Sequence, residues 1–161
     1  MRGDDGAVLV EFALVMPLLF LILFGLIEFG ININDFQSIR QATRDAARQA
    51  VVGDYGTGSC TPASAAAADN AAAVQCTARK GAGISSLAVK VVFTDLGTAN
   101  DFSLDKVKVC AVSRAKSTTG IVAPFLTNVY LKSNVEMRAE KQLTLSNVSD
   151  ADPTGQNWAW C

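Results

Sequence analysis

Histidine is absent from this chain of 161 residues, which removes the Ser/His/Asp and Cys/His constellations of nucleophilic catalysis. Zinc is poorly served too. The four cysteines stand at 60, 76, 110 and 161, and no two are separated by the roughly two to four residues that structural zinc sites use. A Cys-x-x-Cys redox motif is missing as well. Gly53, Gly56 and Gly58 resemble a phosphate loop only in glycine content, because they follow helix-like sequence and no Gly-Lys-Ser/Thr comes after them. The carboxylates Asp101 and Asp105 lie in loop-like sequence with nothing to suggest a pocket. The chain is expected not to be an enzyme, and no cofactor or metal is expected. Lysine and arginine number 14 against 15 aspartates and glutamates, interspersed to a net charge of −1. Without a basic block or aromatic-basic interleaving, nucleic acid is excluded as a partner.

What the chain has is a lopsided apolar content. Residues 12–27 form sixteen consecutive positions without a charge, nearly all large and apolar, while the rest is rich in Ala, Ser, Thr, Asn and Gly. The length allows one domain plus an anchor. Sixteen residues at about 1.5 Å each span about 24 Å, against about 30 Å of bilayer hydrocarbon. A membrane span must therefore take in Glu11 at one end or Glu28 at the other. A carboxylate inside a bilayer costs on the order of 3 kcal/mol and usually has a partner and a role. Glu28 stands where the helix would leave the far side, so snorkelling into the headgroups is its simplest explanation. Glu11 is preceded by four apolar residues, Ala7 to Val10, which suits no water-exposed flank. A cleavable secretory signal fits poorly, since Asp4 and Asp5 offset Arg2 and no Ala-x-Ala follows the run. A cut after Gly6 would instead make Ala7 the first residue and Glu11 the fifth.

That arrangement resembles the type IV pilin class, and three segments narrow it. They are Gly6-Ala-Val-Leu-Val-Glu11-Phe12 running on to Pro17, then Phe24-Gly-Leu-Ile-Glu28-Phe29-Gly30, then Gln41-Ala-Thr-Arg-Asp-Ala-Ala-Arg48. Together they resemble the TadE family, minor pilins or pseudopilins of tight-adherence (Tad/Flp, type IVc) pilus systems. The resemblance covers about the first third of the chain. It implies processing between Gly6 and Ala7 by a prepilin peptidase and recognition through Glu11 and Phe12. It further implies partnership with other pilin subunits, an inner-membrane assembly platform and membrane lipid. It places the chain as a single-pass protein of the cytoplasmic (inner) membrane with an extracytoplasmic domain, entering a pilus used in adhesion or secretion. The competing function is a permanently anchored extracytoplasmic module, its leader uncut, that recruits another envelope component. Pro17 has a plainer reading as a tolerated membrane-helix kink, and Gly25 and Gly30 do not make a Gly-x-x-x-Gly motif.

The domains expected are a leader over residues 1–6, a transmembrane and assembly helix over 7–52, and an α+β domain over 53–161. Within the helix a weak point is expected at residues 30–34, with Asp35 restarting it as an N-cap. Arg40, Arg44 and Arg48 make one stripe and Ala42, Ala46 and Ala50 another. The arginines read as a solvated face, or as a surface for headgroups or acidic neighbours. The alanines read as the face that packs on the domain. A second helix is expected over residues 63–79, broken by Lys80-Gly-Ala-Gly83. Strands are expected over 87–94, 107–113 and 134–146, the second half-buried and the third alternating. Residues 121–131 would cover the sheet edge as a short helix or loop. The fold class is α+β, a long N-terminal transmembrane helix followed by a small antiparallel sheet, pilin-like. Four cysteines beyond the span point to two disulfides from three possible connectivities. The expected pairs are Cys60–Cys76, closing a short loop, and Cys110–Cys161. The latter would dock the otherwise costly Asn-Trp-Ala-Trp-Cys segment, whose alternative use is an adhesion or partner surface. The sequon at Asn147 is read as accidental.

Overall fold

A computed structural model describes residues 4–55, 58–96, 105–120 and 122–161. Its spine is helix α1, Asp4–Val51, 48 residues long and about 72 Å from end to end. A short 3-10 turn, Gly58–Cys60, leads to α2, Ala67–Ala82. Then come strand β1, Ala88–Thr94, strand β2, Lys106–Arg114, a second 3-10 turn at Ala123–Phe125, strand β3, Tyr130–Arg138, and strand β4, Val148–Ser149. The four strands form one antiparallel sheet in the order β3-β2-β1-β4. The architecture is the expected α+β arrangement of a long apolar helix and a small antiparallel sheet.

α1 does not weaken at residues 30–34, and Asp35 does not cap a new helix. The Asn32 amide group donates to the carbonyl of Glu28 at 2.9 Å and to that of Lys116 at 3.3 Å, so its N–H donors are spent within α1 and on the domain. Pro17 likewise lies inside the unbroken helix. α1 ends where Gly53 takes a left-handed φ of 68° and the amide of Asp54 reaches back to the carbonyl of Gln49. A Cβ at Gly53 would also run into Lys141.

The upper part of α1 buries Ile39, Ala42, Thr43, Ala46, Ala47 and Ala50, a stripe at three- and four-residue spacing. These residues meet α2 on one side and the valines Val89, Val91, Val107 and Val109 of the sheet on the other. Small side chains let the helices close in. Gly81 of α2 sits so near Ala42 that an added Cβ would stand 3.1 Å from the alanine Cβ. Gly81 lies within the helix, and α2 ends at left-handed Gly83, whose amide caps the carbonyl of Arg79. The expected helix over 63–79 is thus shifted by a few residues. Ser64 instead makes a turn, accepting from the Ala66 amide and donating to Asp69. Gln75 is buried and donates to the Val89 carbonyl at 2.7 Å, joining α2 to β1.

β1 and β2 fall within a residue or two of their expected limits. β2, however, is buried on both faces at its centre. Val107, Val109 and Ala111 face the helices, while Cys110 and Val112 pack under Trp158. β3 starts four residues before the expected strand and stops at Arg138. Beyond it the inward alternation persists at Ala139, Leu143 and Leu145. The backbone has changed partners, though: Glu140 bonds to Val51 and Ser146 to Ala67. Cys60 pairs with Cys76 and Cys110 with Cys161, Cα atoms 5.5 and 6.0 Å apart, as expected. The 149–161 segment is docked. Trp158 is 4% exposed and donates its indole N–H to the Asp150 carbonyl at 3.0 Å. Asp152 accepts from the amides of Thr154 and Trp158, and Lys132 lies over the Trp160 ring.

Candidate functional site

Apart from the disulfide cysteines, the Asp101 and Asp105 carboxylates and the glycine loop, the chemistry-bearing residues singled out in the sequence lie along α1, and the structure sorts them into three levels. At the bottom, Gly6, Ala7, Glu11 and Phe12 occupy the first turns, every one exposed. Glu11 is therefore an unshielded carboxylate within a surface of exposed Val8, Leu9, Val10, Phe12, Leu14 and Val15. Residues 1–3, the start of the expected leader, lie outside the described residues, as do Asp101 and Gly56. Above this level the helix is apolar and bare as far as Ile27, and it is long and apolar enough to cross a membrane.

The middle level overturns the headgroup reading of Glu28. This residue is only 2% exposed, the most deeply buried acid among the described residues. The loop between β2 and β3 descends to it. Its carboxylate accepts from the Thr118 amide at 2.6 Å, the Thr119 amide at 3.2 Å and the Thr119 hydroxyl at 3.1 Å. Two successive amides and a hydroxyl make a small anion cradle of the kind turns provide. The cradle is steadied by the Ser117 hydroxyl, which accepts from the amide of Gly120, itself at a left-handed φ of 79°. A buried carboxylate needs such donors, because an unpaired one would be heavily penalised. The clasp fixes how low on α1 the domain sits. The signal in the sequence was Ser117-Thr-Thr-Gly120, a short donor-rich turn ahead of an apolar stretch, which carried no assignment there.

Beside the clasp, α1 and the β2–β3 connection enclose an apolar groove of about 570 Å³. Phe29, Ile33 and Phe36 form one wall, with Leu126, Val129 and Leu131 opposite. Phe29 remains 65% exposed. No sequence pattern announced the groove, since its walls come from segments about ninety residues apart.

The top level is the arginine stripe. Arg40, Arg44 and Arg48 are all exposed, and Arg40 lies over the Phe36 ring at 5.5 Å. Arg40 is twelve residues beyond Glu28, about 18 Å along the axis. The stripe thus rises away from the clasp toward the head of the domain, in keeping with the solvated-face reading. No group of three or more cysteines, aspartates and glutamates among the described residues is placed to hold a metal ion.

The sequence model of the family described as TadE-like protein matches residues 6–48. No curated protein and no solved structure matches the chain. The matched segment contains the exposed first turns, the bare apolar span, Glu28, the arginine stripe and Ala42 and Ala46 of the alanine stripe, and it stops three residues short of the end of α1. Over residues 6–48, about a quarter of the chain, the sequence is similar to the TadE-like family.

Proposed function

We propose that the chain is a minor pilin, or pseudopilin, that enters a tight-adherence type IV pilus or primes its assembly. The observation that supports this reading most is the match over residues 6–48 to a helix whose lower half is apolar and uncovered. A surface of that kind is satisfied by lipid before assembly and by other pilin subunits after it. In this reading a prepilin peptidase cuts between Gly6 and Ala7. Both residues lie in the first turn of α1, where backbone amides lack intrahelical acceptors and the helix opens most easily. The chain then has its N-terminus on the cytoplasmic face and its domain outside, delivered to the inner-membrane assembly platform. Glu11 pairs with the Ala7 amine of a neighbouring subunit. Two charges that are separately costly in a dry bundle offset each other and set the axial register.

Glu11→Ala tests this in a strain lacking the native copy. The variant should insert, lose residues 1–6, and form both disulfides, yet be absent from pili and fail to restore piliation. Wild-type piliation by a correctly cut Glu11→Ala protein would sink the register role. An intact mass retaining Met1 in the wild-type protein would favour the permanently anchored module.

A further inference from the structure

The groove beside the Glu28 clasp has a definite height, given the single membrane span of the reading above, on which this inference rests. About 20 residues cross the hydrocarbon layer, so a span that starts at Val8 ends at Ile27. The groove is lined by α1 from Gly25 to Phe36. Its foot therefore opens into the hydrocarbon, and the rest rises through the headgroup layer, where a water-filled apolar channel would be disfavoured. Exposed Phe29, Ile33 and Val129 at its mouth join it to the bare apolar surface of the span below.

Position and room point to the occupant. A volume of about 570 Å³, open along one side and continuous at its foot with the apolar span, has room for one extended hydrocarbon chain. Polar chemistry at the same height agrees. Exposed Lys116, whose carbonyl meets Asn32 at 3.3 Å, brings a cation to the level at which a phosphate would lie.

We infer that this groove binds a membrane phospholipid of the leaflet on the domain's side, one acyl chain lying between α1 and residues 122–131 and the phosphate near Lys116. The domain would then carry a lipid at its base as well as touching the bilayer surface.

The test uses the full chain in vesicles of phosphatidylethanolamine and phosphatidylglycerol, doped with phosphatidylcholine bearing a diazirine midway along one acyl chain. Labelled residues are mapped by mass spectrometry after irradiation. Labelling is expected at Leu18 in the span and at Leu126 and Val129 in the domain. None is expected at Leu96, an exposed leucine near the opposite end of the sheet. Val129→Trp and, on the other wall, Ile33→Trp should each lower labelling at Leu126 about tenfold, the effect of losing roughly two buried methylene contacts. Labelling at Leu18 should not change in either variant. Label at Leu18 with none at Leu126 or Val129 overturns the lipid site and leaves the anchor intact. Undiminished labelling in both tryptophan variants also overturns it, as do cross-links from Leu126 to residues 8–20 of a second copy in place of lipid. Absence of label from Leu18 removes the membrane span and this inference together.

Discussion

The two halves of α1 belong to one unbroken helix, yet they bury surface by opposite rules. In the upper half the inward positions are Ala42, Ala46, Ala47 and Ala50, with Ile39 the one large aliphatic side chain before Val51, and all are covered by the chain's own α2 and sheet. In the lower half the positions are Leu, Ile, Val and Phe on every side, and almost none is covered. A partner of fixed shape rewards small residues, because close approach brings backbones and neighbouring atoms into dense contact. A partner without fixed shape, such as lipid, rewards area alone, at about 25 cal/mol per Å² of apolar surface. The halves thus differ in where the matching surface is encoded: within this sequence for the upper one, outside it for the lower.

That contrast can be broken most forcefully in the covered half, where the domain depends on its own chain. Replacing Cys110 and Cys161 together by alanine releases a closure of 51 residues and should cost the domain about 4 kcal/mol by the chain-entropy estimate. Denaturant unfolding of the detergent-solubilised protein, followed by tryptophan fluorescence, would show it, and an unchanged midpoint would mean that the tail is held by packing alone. A smaller effect compares the halves directly. Ala46→Leu forces three more carbons into a fully buried contact and should destabilise the domain by about 2 kcal/mol. Leu18→Ala, at a position 62% exposed, should shift the same unfolding by less than about 0.5 kcal/mol. Equal effects from the two would erase the distinction drawn here.

The smallest expected effect is confined to the docked 149–161 segment. Burial opposes the charge on Asp152, but the Trp158 amide, the Thr154 hydroxyl and amide and nearby Lys132 outweigh it and hold the carboxyl below its ordinary range. With the folded value depressed, the contribution is whole above the unfolded carboxylate value of about 3.9 and fades as pH falls through the folded one. Tryptophan emission should therefore shift to the red only in strong acid, and Asp152→Asn should remove that transition while leaving α1 helicity unaltered. A transition that persists in Asp152→Asn assigns the acid response to another group.

Much of the fold was legible because local chemistry and final structure agree where a pattern has one natural partner. The uncharged run, the alanine stripe and the valine strands each declare a buried face. The cysteine pairs are those expected, Cys60–Cys76 closing a short loop and Cys110–Cys161 docking the C-terminal segment. The failures have a common cause. Alternation over residues 134–146 reports which side chains turn inward, which remained true through Leu145, but not which backbone they bond to. The chain leaves β2 after Arg138 and crosses to α2, a change of partner that leaves the in-out period intact. Gly81 did not end α2 but lies within it, close against Ala42. Glu28 looked like a residue seeking headgroups, because its donors lie about ninety positions away in a turn whose descent to α1 depends on the whole β2–β3 connection.

By itself the sequence determined the apolar length of the helix, the carboxylate in its first turns, the lack of histidine and the even set of cysteines beyond it. These follow from residue type and spacing along one chain, and they carry the helix long and apolar enough to cross a membrane and the TadE-like segment. The tertiary structure alone decided the height at which the domain clasps Glu28, the narrow groove beside that clasp and the cover that Trp158 lays over β2. Each requires segments far apart in sequence to meet at distances of a few ångströms. No local periodicity records such meetings, because they are fixed by how the packed elements close around one another.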